Sequence, residues 1–168
     1  MATNIYLKFT NYGSAPSTIK GSVTATGYQG AVQATALTWS TEQTLNIGSQ
    51  SSGAGAGKVA FNDLHFTKPV DATSPVFFQA LCAGTPFQFV DIFFVTGSGA
   101  AATCRLKLVA VKSIDGTAGA VPGAAPTDVP AEDIALEYGG AIWTIGGVSL
   151  GWNRVKNLAD TNPATAIT

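Results

Sequence analysis

The chain has 168 residues, a length that favours a single domain with a substantial buried core. Only 11% of the residues are charged, against about 25% in typical soluble domains, and the formal net charge is −1. This balance excludes the basic surface of a nucleic-acid-binding protein and an electrostatic membrane site. Because so few charges cannot cover a monomer, we expect a homo-oligomer or polymer, and a neutral secreted domain with a Thr- and Ser-rich exterior is the alternative.

Cysteine usage and the N-terminal residues set expectations for redox state and compartment. Cys82 and Cys104 allow one disulfide at most, and their apolar neighbours favour buried free thiols. The start MATNIYLKF lacks the basic and apolar regions of a cleavable signal, and no apolar run reaches the roughly 18 residues of a spanning helix. We therefore expect synthesis in the cytoplasm without a signal peptide and no membrane insertion.

The first third of the chain reads as strands separated by breakers. Residues 4–9 alternate between apolar and polar side chains, which predicts a strand, and residues 25–41 contain a second one. Residues 42–48 favour a short extra strand. The Gly- and Ser-rich residues 49–57 are typical of a flexible loop, and residues 58–66 form the next strand.

Residues 61–84 predict a strand, a rigid connector and one short helix. Pro69 ends the strand, since proline cannot donate to a ladder. Ser74 is the expected N-cap and Pro75 the first helical residue, while Gly84 is the expected stop, so the helix spans about residues 75–83. Its expected packing residues are Val76, Phe77, Phe78, Ala80 and Leu81.

The strands of the second half carry more apolar residues. Residues 86–97 are apolar on both faces, which indicates a strand that is central in the core or buried at a subunit contact. In residues 103–113 the alternation predicts that Arg105 and Lys107 face outward and pair with acidic residues of a neighbouring strand. The inward residues of that strand are expected to be Leu106, Leu108 and Ala110.

A long Gly/Ala/Pro loop, residues 116–131, precedes the last predicted hairpin. Residues 132–138 alternate, with Ile134, Leu136 and Tyr138 on one face, and Gly139-Gly140 predicts a tight hairpin turn. About seven or eight strands and one helix indicate a mainly β fold, a β-barrel or sandwich of two sheets.

Residues that carry chemistry are few. His65 is the sole histidine and shares a predicted strand face with Asp63, which favours a structural role over a catalytic or metal site. The segment GAGAGK at 53–58 lacks the spacing and the hydroxyl of a phosphate loop. Glu132 and Asp133 are adjacent and would point to opposite faces of a strand. The tryptophans, Trp39, Trp143 and Trp152, are more often core or interface residues than sugar platforms. We expect no enzyme activity, no cofactor and no metal.

The connector carries a family resemblance. The motif Phe66-Thr67-Lys68-Pro69-x-Asp71-x-x-Ser74-Pro75, followed by an apolar helix that ends at Gly84, resembles the signature of the Hcp family. These haemolysin-coregulated proteins form the inner tube of bacterial type VI secretion systems. Four further blocks are similar to the family in the same order, so the resemblance covers about residues 3–157: NIYLKF, residues 19–39, residues 128–145 and GWNRVKN.

The resemblance implies both the fold and the function. It implies one β-barrel domain over residues 1–158, after which we expect a flexible tail, residues 159–168. It also implies hexameric rings that stack into a tube, hold effectors in the channel, contact sheath and spike proteins, and leave the cell with their cargo. A tail-tube subunit of a phage or other contractile injection particle is the alternative, and a sugar-binding β-sandwich is a third hypothesis.

Contacts between copies are expected in the flexible loop, because an ungoverned Gly/Ser loop in a compact domain is often functional. The candidate contact residues are Ser51, Ser52, Gly53, Ala54 and Gly55.

Overall fold

A computed structural model gives the structure of residues 3–13, 18–46, 55–118 and 130–167, and describes no side chain at positions 46 and 55–58. Within these ranges the chain forms eleven strands and one helix, more strands than the seven or eight predicted. The first six strands are β1 (Asn4–Asn11), β2 (Val32–Ala34), β3 (Ala36–Thr38), β4 (Thr41–Asn46), β5 (Gly55–Phe61) and β6 (Leu64–Pro69). The helix α1 (Ser74–Ala83) precedes β7 (Phe87–Thr96), β8 (Gly99–Thr117), β9 (Ala131–Ile145), β10 (Val148–Asn153) and β11 (Leu158–Asp160). No helix in these ranges is long and apolar enough to cross a membrane.

The strands close into a barrel, which confirms the predicted fold class. Strand β1 pairs with β7, β7 with β8, and β8 with β9, all antiparallel. The first half of β9 pairs with β6, β6 pairs with β3, and β2, one residue before β3, returns to β1. The second half of β9 instead pairs with β10, which carries β11 at the sheet edge. Strands β4 and β5 form a separate hairpin.

Both faces of the β1–β7 sheet are covered, which explains the two-sided apolar pattern of residues 86–97. Leu7 and Phe9 of β1 lie in the main core inside the barrel. Tyr6 points the other way and packs on Tyr28, which in turn contacts Phe93 with a ring-centroid distance of 5.1 Å. The segment that carries Tyr28 therefore covers the outer face, and β7 is central rather than exposed.

The face of β8 that points into the core changes along the strand, and this overturns one prediction. Cys104 and Leu106 lie in the core, but after Leu108, which has φ +49°, the core residues are Val109 and Val111. The predicted inward residues Leu108 and Ala110 are only partly buried. A single residue in the left-handed region is enough to change which side chains face the core, because strict alternation of side chains holds only for regular extended backbone.

Gly139-Gly140 lies inside β9, where this strand changes its partner from β6 to β10, so the hairpin predicted there is wrong. Opposite Leu108, β9 continues without a turn through Gly139-Gly140, and a Cβ added at Gly140 would lie 3.0 Å from the Trp152 carbonyl oxygen. The turn that joins β9 to β10 lies at Gly146-Gly147, whose φ angles of +58° and +82° suit a hairpin of the primed type. The alternation of residues 132–138 is confirmed, with Ile134, Leu136 and Tyr138 buried.

Helix α1 closes one end of the barrel with a single fully buried side chain. Phe77 contacts the rings of Phe9 and Phe66, with centroid distances of 5.1 and 5.8 Å. Phe78, expected to pack, is instead 62% exposed, and Cys82 one turn later is exposed as well. Both cysteines are free, as predicted, but only Cys104 is buried.

The chain beyond residue 158 is docked on the sheet, which corrects the expectation of a flexible tail for residues 159–167. Residues Leu158–Asp160 form β11, and Ile167 is only 3% exposed. The hydroxyl of Tyr12 donates to the Ile167 carbonyl at 2.7 Å, and Arg105 donates to the Pro163 carbonyl at 3.1 Å. The tail therefore belongs to the folded domain.

Candidate functional site

The predicted signature residues converge on one buried ammonium group. Lys68 is the next-to-last residue of β6, and its side chain is completely buried. Its Nζ lies 2.7 Å from Glu132 Oε1, on the neighbouring strand β9, and 2.8 Å from Asp71 Oδ1. It also donates to the Pro69 carbonyl at 2.9 Å and the Ser74 hydroxyl at 3.2 Å. Two carboxylates and two neutral oxygens thus replace the hydration of a buried charge.

Ser74 has a different role from the one predicted. It is the first residue of α1, Thr73 is the N-cap, and no side chain caps the helix amides. The Ser74 hydroxyl accepts from the Asp71 amide at 3.0 Å and donates to Glu132 Oε1 at 2.7 Å. With the Lys68 contact, its donor and both acceptor positions are used. Ser74 therefore joins the helix start to β9 instead of capping free amides.

Asp71 fixes the connector between β6 and α1. Its Oδ1 accepts from the Thr73 amide at 2.8 Å and from the Thr73 hydroxyl at 2.6 Å. Partial burial by itself would raise the pKa of Asp71, but the hydrogen bonds from Lys68 and Thr73 outweigh it and hold the pKa below 3.8. The carboxylate is therefore the form that the folded connector requires.

The remaining signature residues serve packing and chain direction. Phe66 is completely buried in the barrel core, and the Thr67 hydroxyl donates to Asp133 Oδ2 at 3.2 Å. Pro75 occupies the first turn of α1, as predicted, and Gly84 ends the helix in the left-handed region with φ +62°. Together with Lys68 these residues fix where α1 closes the barrel, and no substrate can reach the ammonium group.

Two further ion pairs hold the outer face of the sheet, and one of them is a cross-strand pair of the kind predicted for β8. Lys107, expected to face solvent, is completely buried, and its Nζ lies 2.7 Å from Asp160 Oδ2 and 2.6 Å from the Asn162 carbonyl. Arg105 makes a bidentate pair with Asp91 of β7, at 2.6 and 2.8 Å, which raises the pKa of its guanidinium. Arg105 thus pairs with an acidic residue of a neighbouring strand, as predicted, whereas the partner of Lys107 lies on β11.

The histidine makes a structural contact. His65 Nδ1 lies 2.7 Å from Asp133 Oδ1, whereas Asp63, the predicted neighbour, pairs with Lys112 at 2.8 Å. Among the described residues, no group of three or more His, Cys, Asp or Glu side chains is arranged to hold a metal ion. Burial raises the pKa of the Cys104 thiol to about 12, with a further rise from Asp91, so this thiol is not a nucleophile near neutral pH.

A pocket of about 540 Å³ lies where β5 approaches β8 and β9. The Arg154 guanidinium lies 5.3 Å from the ring centroids of both Phe61 and Tyr138 and donates to the Tyr138 carbonyl. No histidine, cysteine or serine is among its lining residues in the described part of the chain, so no nucleophile–base pair is formed there.

The tryptophans are mostly turned toward other aromatic rings. Trp39 and Trp143 lie 5.1 Å apart, and Phe94 lies 5.9 and 5.8 Å from them. The Trp152 indole nitrogen is buried and has no hydrogen-bond partner within the described part of the chain. This packing favours a core or interface role over stacking on sugar rings.

Most of the five candidate contact residues of the predicted loop lie outside the part of the chain that the structure describes. Ser51, Ser52, Gly53 and Ala54 lie outside the described residues. Gly55 is the first residue of β5 and pairs with Asn46 of β4, so it belongs to a strand and not to the predicted loop. A contact role for these five residues stays a prediction.

Comparisons with known proteins agree on one family. The family model described as type VI secretion system effector, Hcp, matches residues 6–145. A solved structure described as a type six secretion system protein is 21% identical, with a TM-score of 0.78, and the match covers 95% of this chain and all of that one. Hcp1 from Salmonella typhimurium is 16% identical, with a TM-score of 0.73 and the same coverage.

A more distant likeness extends beyond type VI secretion. The sheath–tube complex of an extracellular contractile injection system, PVC, contains a chain that is 9% identical, with a TM-score of 0.54, and the match covers 84% of this chain and 88% of that one. At these identities the solved structures show the fold alone. A search of curated protein sequences found no match.

Proposed function

The chain belongs to the Hcp family of type VI secretion proteins, which are structural tube proteins and not enzymes, and we propose that it forms hexameric rings that stack into the inner tube. The observation that carries this proposal is the family match over residues 6–145. The low charge supports it too, because three of the described ion pairs join a Lys or Arg to a carboxylate of another strand within one copy. Little charge is then left to solvate the outside of a monomer.

The proposed tube carries effectors in its channel and contacts sheath and spike proteins. A tube subunit needs a stiff shape more than a reactive group, and the buried Lys68 network supplies stiffness where α1 meets the barrel. As a subunit of the expelled tube, the protein leaves its cell of origin by type VI secretion.

A native mass measurement tests assembly. The expected species has six times the 17.1 kDa of the chain, with longer stacks at high concentration, and electron microscopy should show rings with a central opening. A strict monomer at high concentration contradicts the proposal. Effector carriage is tested by isolating rings from an effector-producing strain, where bound effector should resist protease until the rings are dissociated.

The likeness to the PVC tube–sheath complex favours one alternative, a tail-tube subunit of another contractile particle. Secretion separates the two. Deleting the type VI sheath in the parent bacterium should abolish release of the protein to the medium, and undiminished release would favour the other particle.

A further inference from the structure

The pocket where β5 approaches β8 and β9 has the size of a ligand site. Its volume of about 540 Å³ lies within the range of roughly 300–1,000 Å³ that is usual for small-molecule sites. We call it the Arg154 pocket, and in the described part of the chain its lining includes Ala60, Phe61, Tyr138, Trp152 and Arg154. These residues come from the β4–β5 hairpin on one side and from the barrel sheet on the other.

Arg154 is held in a defined position in the wall of this pocket. Its backbone amide donates to the Gly139 carbonyl at 2.8 Å, which continues the ladder between β10 and β9 by one residue. The guanidinium lies 5.3 Å from the ring centroids of Phe61 and Tyr138, and it donates to the Tyr138 carbonyl. A side chain that is fixed in this way loses little conformational entropy when it binds a ligand.

Arg154 has no carboxylate partner among the described residues. Four other cations of the sheet pair with a carboxylate at 2.6 to 2.8 Å: Lys68, Arg105, Lys107 and Lys112. Glu137 lines the same pocket, but it is exposed and forms no ion pair with Arg154. Most of the N–H donors of a partly buried guanidinium therefore remain for a ligand, and their planar fork matches a carboxylate.

Much of the remaining wall is apolar. Phe61 and Trp152 contribute aromatic rings, and Leu108 and Val155 contribute aliphatic side chains. Apolar walls with a few polar groups are typical of sites for small molecules. A ligand that fits both parts of the pocket has an apolar body and one carboxylate, since the charge of Glu137 in the lining disfavours a doubly charged phosphate.

Unusual backbone conformations are concentrated at this pocket. In the described part of the chain, the non-glycine residues with positive φ are Leu108, at +49°, and Asn157, at +53°, and both line it. Leucine rarely adopts this conformation, and strained residues cluster at ligand sites. Trp152, whose buried indole N–H has no partner in the described part of the chain, belongs to the same wall. An orphaned donor of this kind marks a place where polar contacts are incomplete.

We propose that the Arg154 pocket binds a small apolar monocarboxylate. The carboxylate accepts hydrogen bonds from the Arg154 guanidinium, and the apolar body packs against Phe61 and Trp152. Because these walls belong to the β4–β5 hairpin and to the barrel sheet, the bound ligand joins the hairpin to the barrel. This binding activity goes beyond the proposed tube function and does not require rings to form.

3-Phenylpropionate is a suitable probe, because it has an aromatic body and one carboxylate that is ionised at neutral pH. A ligand-observed NMR titration of the purified full-length protein should give a dissociation constant on the order of 1 mM or lower, as is usual for a ligand of this size. The neutral analogue 3-phenylpropanamide should bind at least about tenfold more weakly, since it lacks the charge that Arg154 recognises. Inorganic phosphate should show no binding.

The variant Arg154→Met should weaken the binding of 3-phenylpropionate at least about tenfold, because the guanidinium is lost. Ala60→Trp tests the same pocket without removing a charge, since Ala60 is exposed and lines it, and a large side chain there should cause a similar loss. Lys156→Met is the matched control. Lys156 is exposed and lies outside the lining, so this variant has the same change in charge and should bind like the wild type.

Several results would overturn the inference. These are a wild-type protein that does not bind 3-phenylpropionate below about 10 mM, equal binding of the amide, and a folded Ala60→Trp variant that binds like the wild type. N-acetylglycyl-phenylalanine that binds more than about tenfold more tightly than 3-phenylpropionate would assign the pocket to the end of a protein chain, and would also overturn it. Ring formation is measured separately by native mass, so failure of the proposed function remains distinguishable.

Discussion

Replacing Lys68 with methionine removes a buried ammonium group and leaves its partner behind. Methionine preserves the length and the apolar stem of the side chain, and it replaces the ammonium group that lies 5.9 Å from the centroid of the Phe77 ring with a neutral thioether. Glu132, whose side chain is 7% exposed, then retains the Ser74 hydroxyl as its described hydrogen-bond donor.

The magnitude follows from that burial. Removing one partner of a buried pair costs about 3–5 kcal/mol, since the remaining charge loses its compensation. A domain of this size has a total stability of about 5–15 kcal/mol, so the variant should be marginal. If Glu132→Gln is added, the buried uncompensated charge is removed, while Asp71 is partly exposed and keeps its hydrogen bonds from Thr73. The double variant should therefore recover about 2 kcal/mol relative to the sum of the single effects.

Urea unfolding followed by tryptophan fluorescence measures these differences, with the slope checked for constancy. Lys112→Met is the matched control, because its pair with Asp63 is made by a lysine side chain that is 54% exposed and should matter little. A Lys68→Met variant no less stable than Lys112→Met would refute the structural role assigned to the signature.

Four other expectations follow from the same contacts. Ser74→Ala should cost about 1–3 kcal/mol in urea unfolding, because the buried Lys68 donor and Glu132 acceptor each lose a partner, and a loss below about 0.5 kcal/mol would contradict this. Asp71→Asn should flatten the fall in stability on acidification. A folded-state pKa below 3.8 contributes stability that is complete above that value and is lost as pH falls through the folded pKa. Equal slopes of stability against pH in the wild type and the variant below about pH 4 would be contrary evidence. Asp160→Asn should lower the free energy of unfolding by about 3 kcal/mol, since Lys107 loses its counter-charge. Adding Lys107→Met should restore part of this free energy, and a double variant that recovers no stability would argue against the ion pair. Gly140→Ala should lower the melting temperature by about 4 °C or more through its clash with the neighbouring backbone, and an unchanged temperature would show that β10 can move away at no cost.

Much of the fold could be predicted from local pattern. The strand at residues 4–9, the helix after Ser74, its end at Gly84 and the short strand near residue 42 all follow from alternation and from residues with restricted backbone geometry. The fold class followed because many short strands with one helix leave few architectures.

Side-chain direction was harder to predict where both faces of a strand are covered. Lys107 alternates like an outward residue, but its partner Asp160 is 53 residues away, in a tail that composition gave no reason to place on the sheet. The positive φ of Leu108 has no signal in sequence either, since leucine rarely adopts it. As a result, the burial of Lys107 and the change of the core-facing side after Leu108 were both missed.

The signature residues could be found from the sequence, but the contacts that they make could not. Ser74-Pro75 reads locally as a helix cap, whereas the Ser74 hydroxyl bonds Glu132, 58 residues further along the chain. A contact of that separation depends on the register of β6 against β9, which no local pattern fixes.

The oligomeric state tests the central claim most directly. Native mass spectrometry of the purified protein, over a wide concentration range, should give a closed species of six 17.1 kDa copies and multiples of it at the highest concentrations. A monomer that persists across the whole range, with no rings in electron micrographs, would contradict the assignment of this chain as a tube subunit.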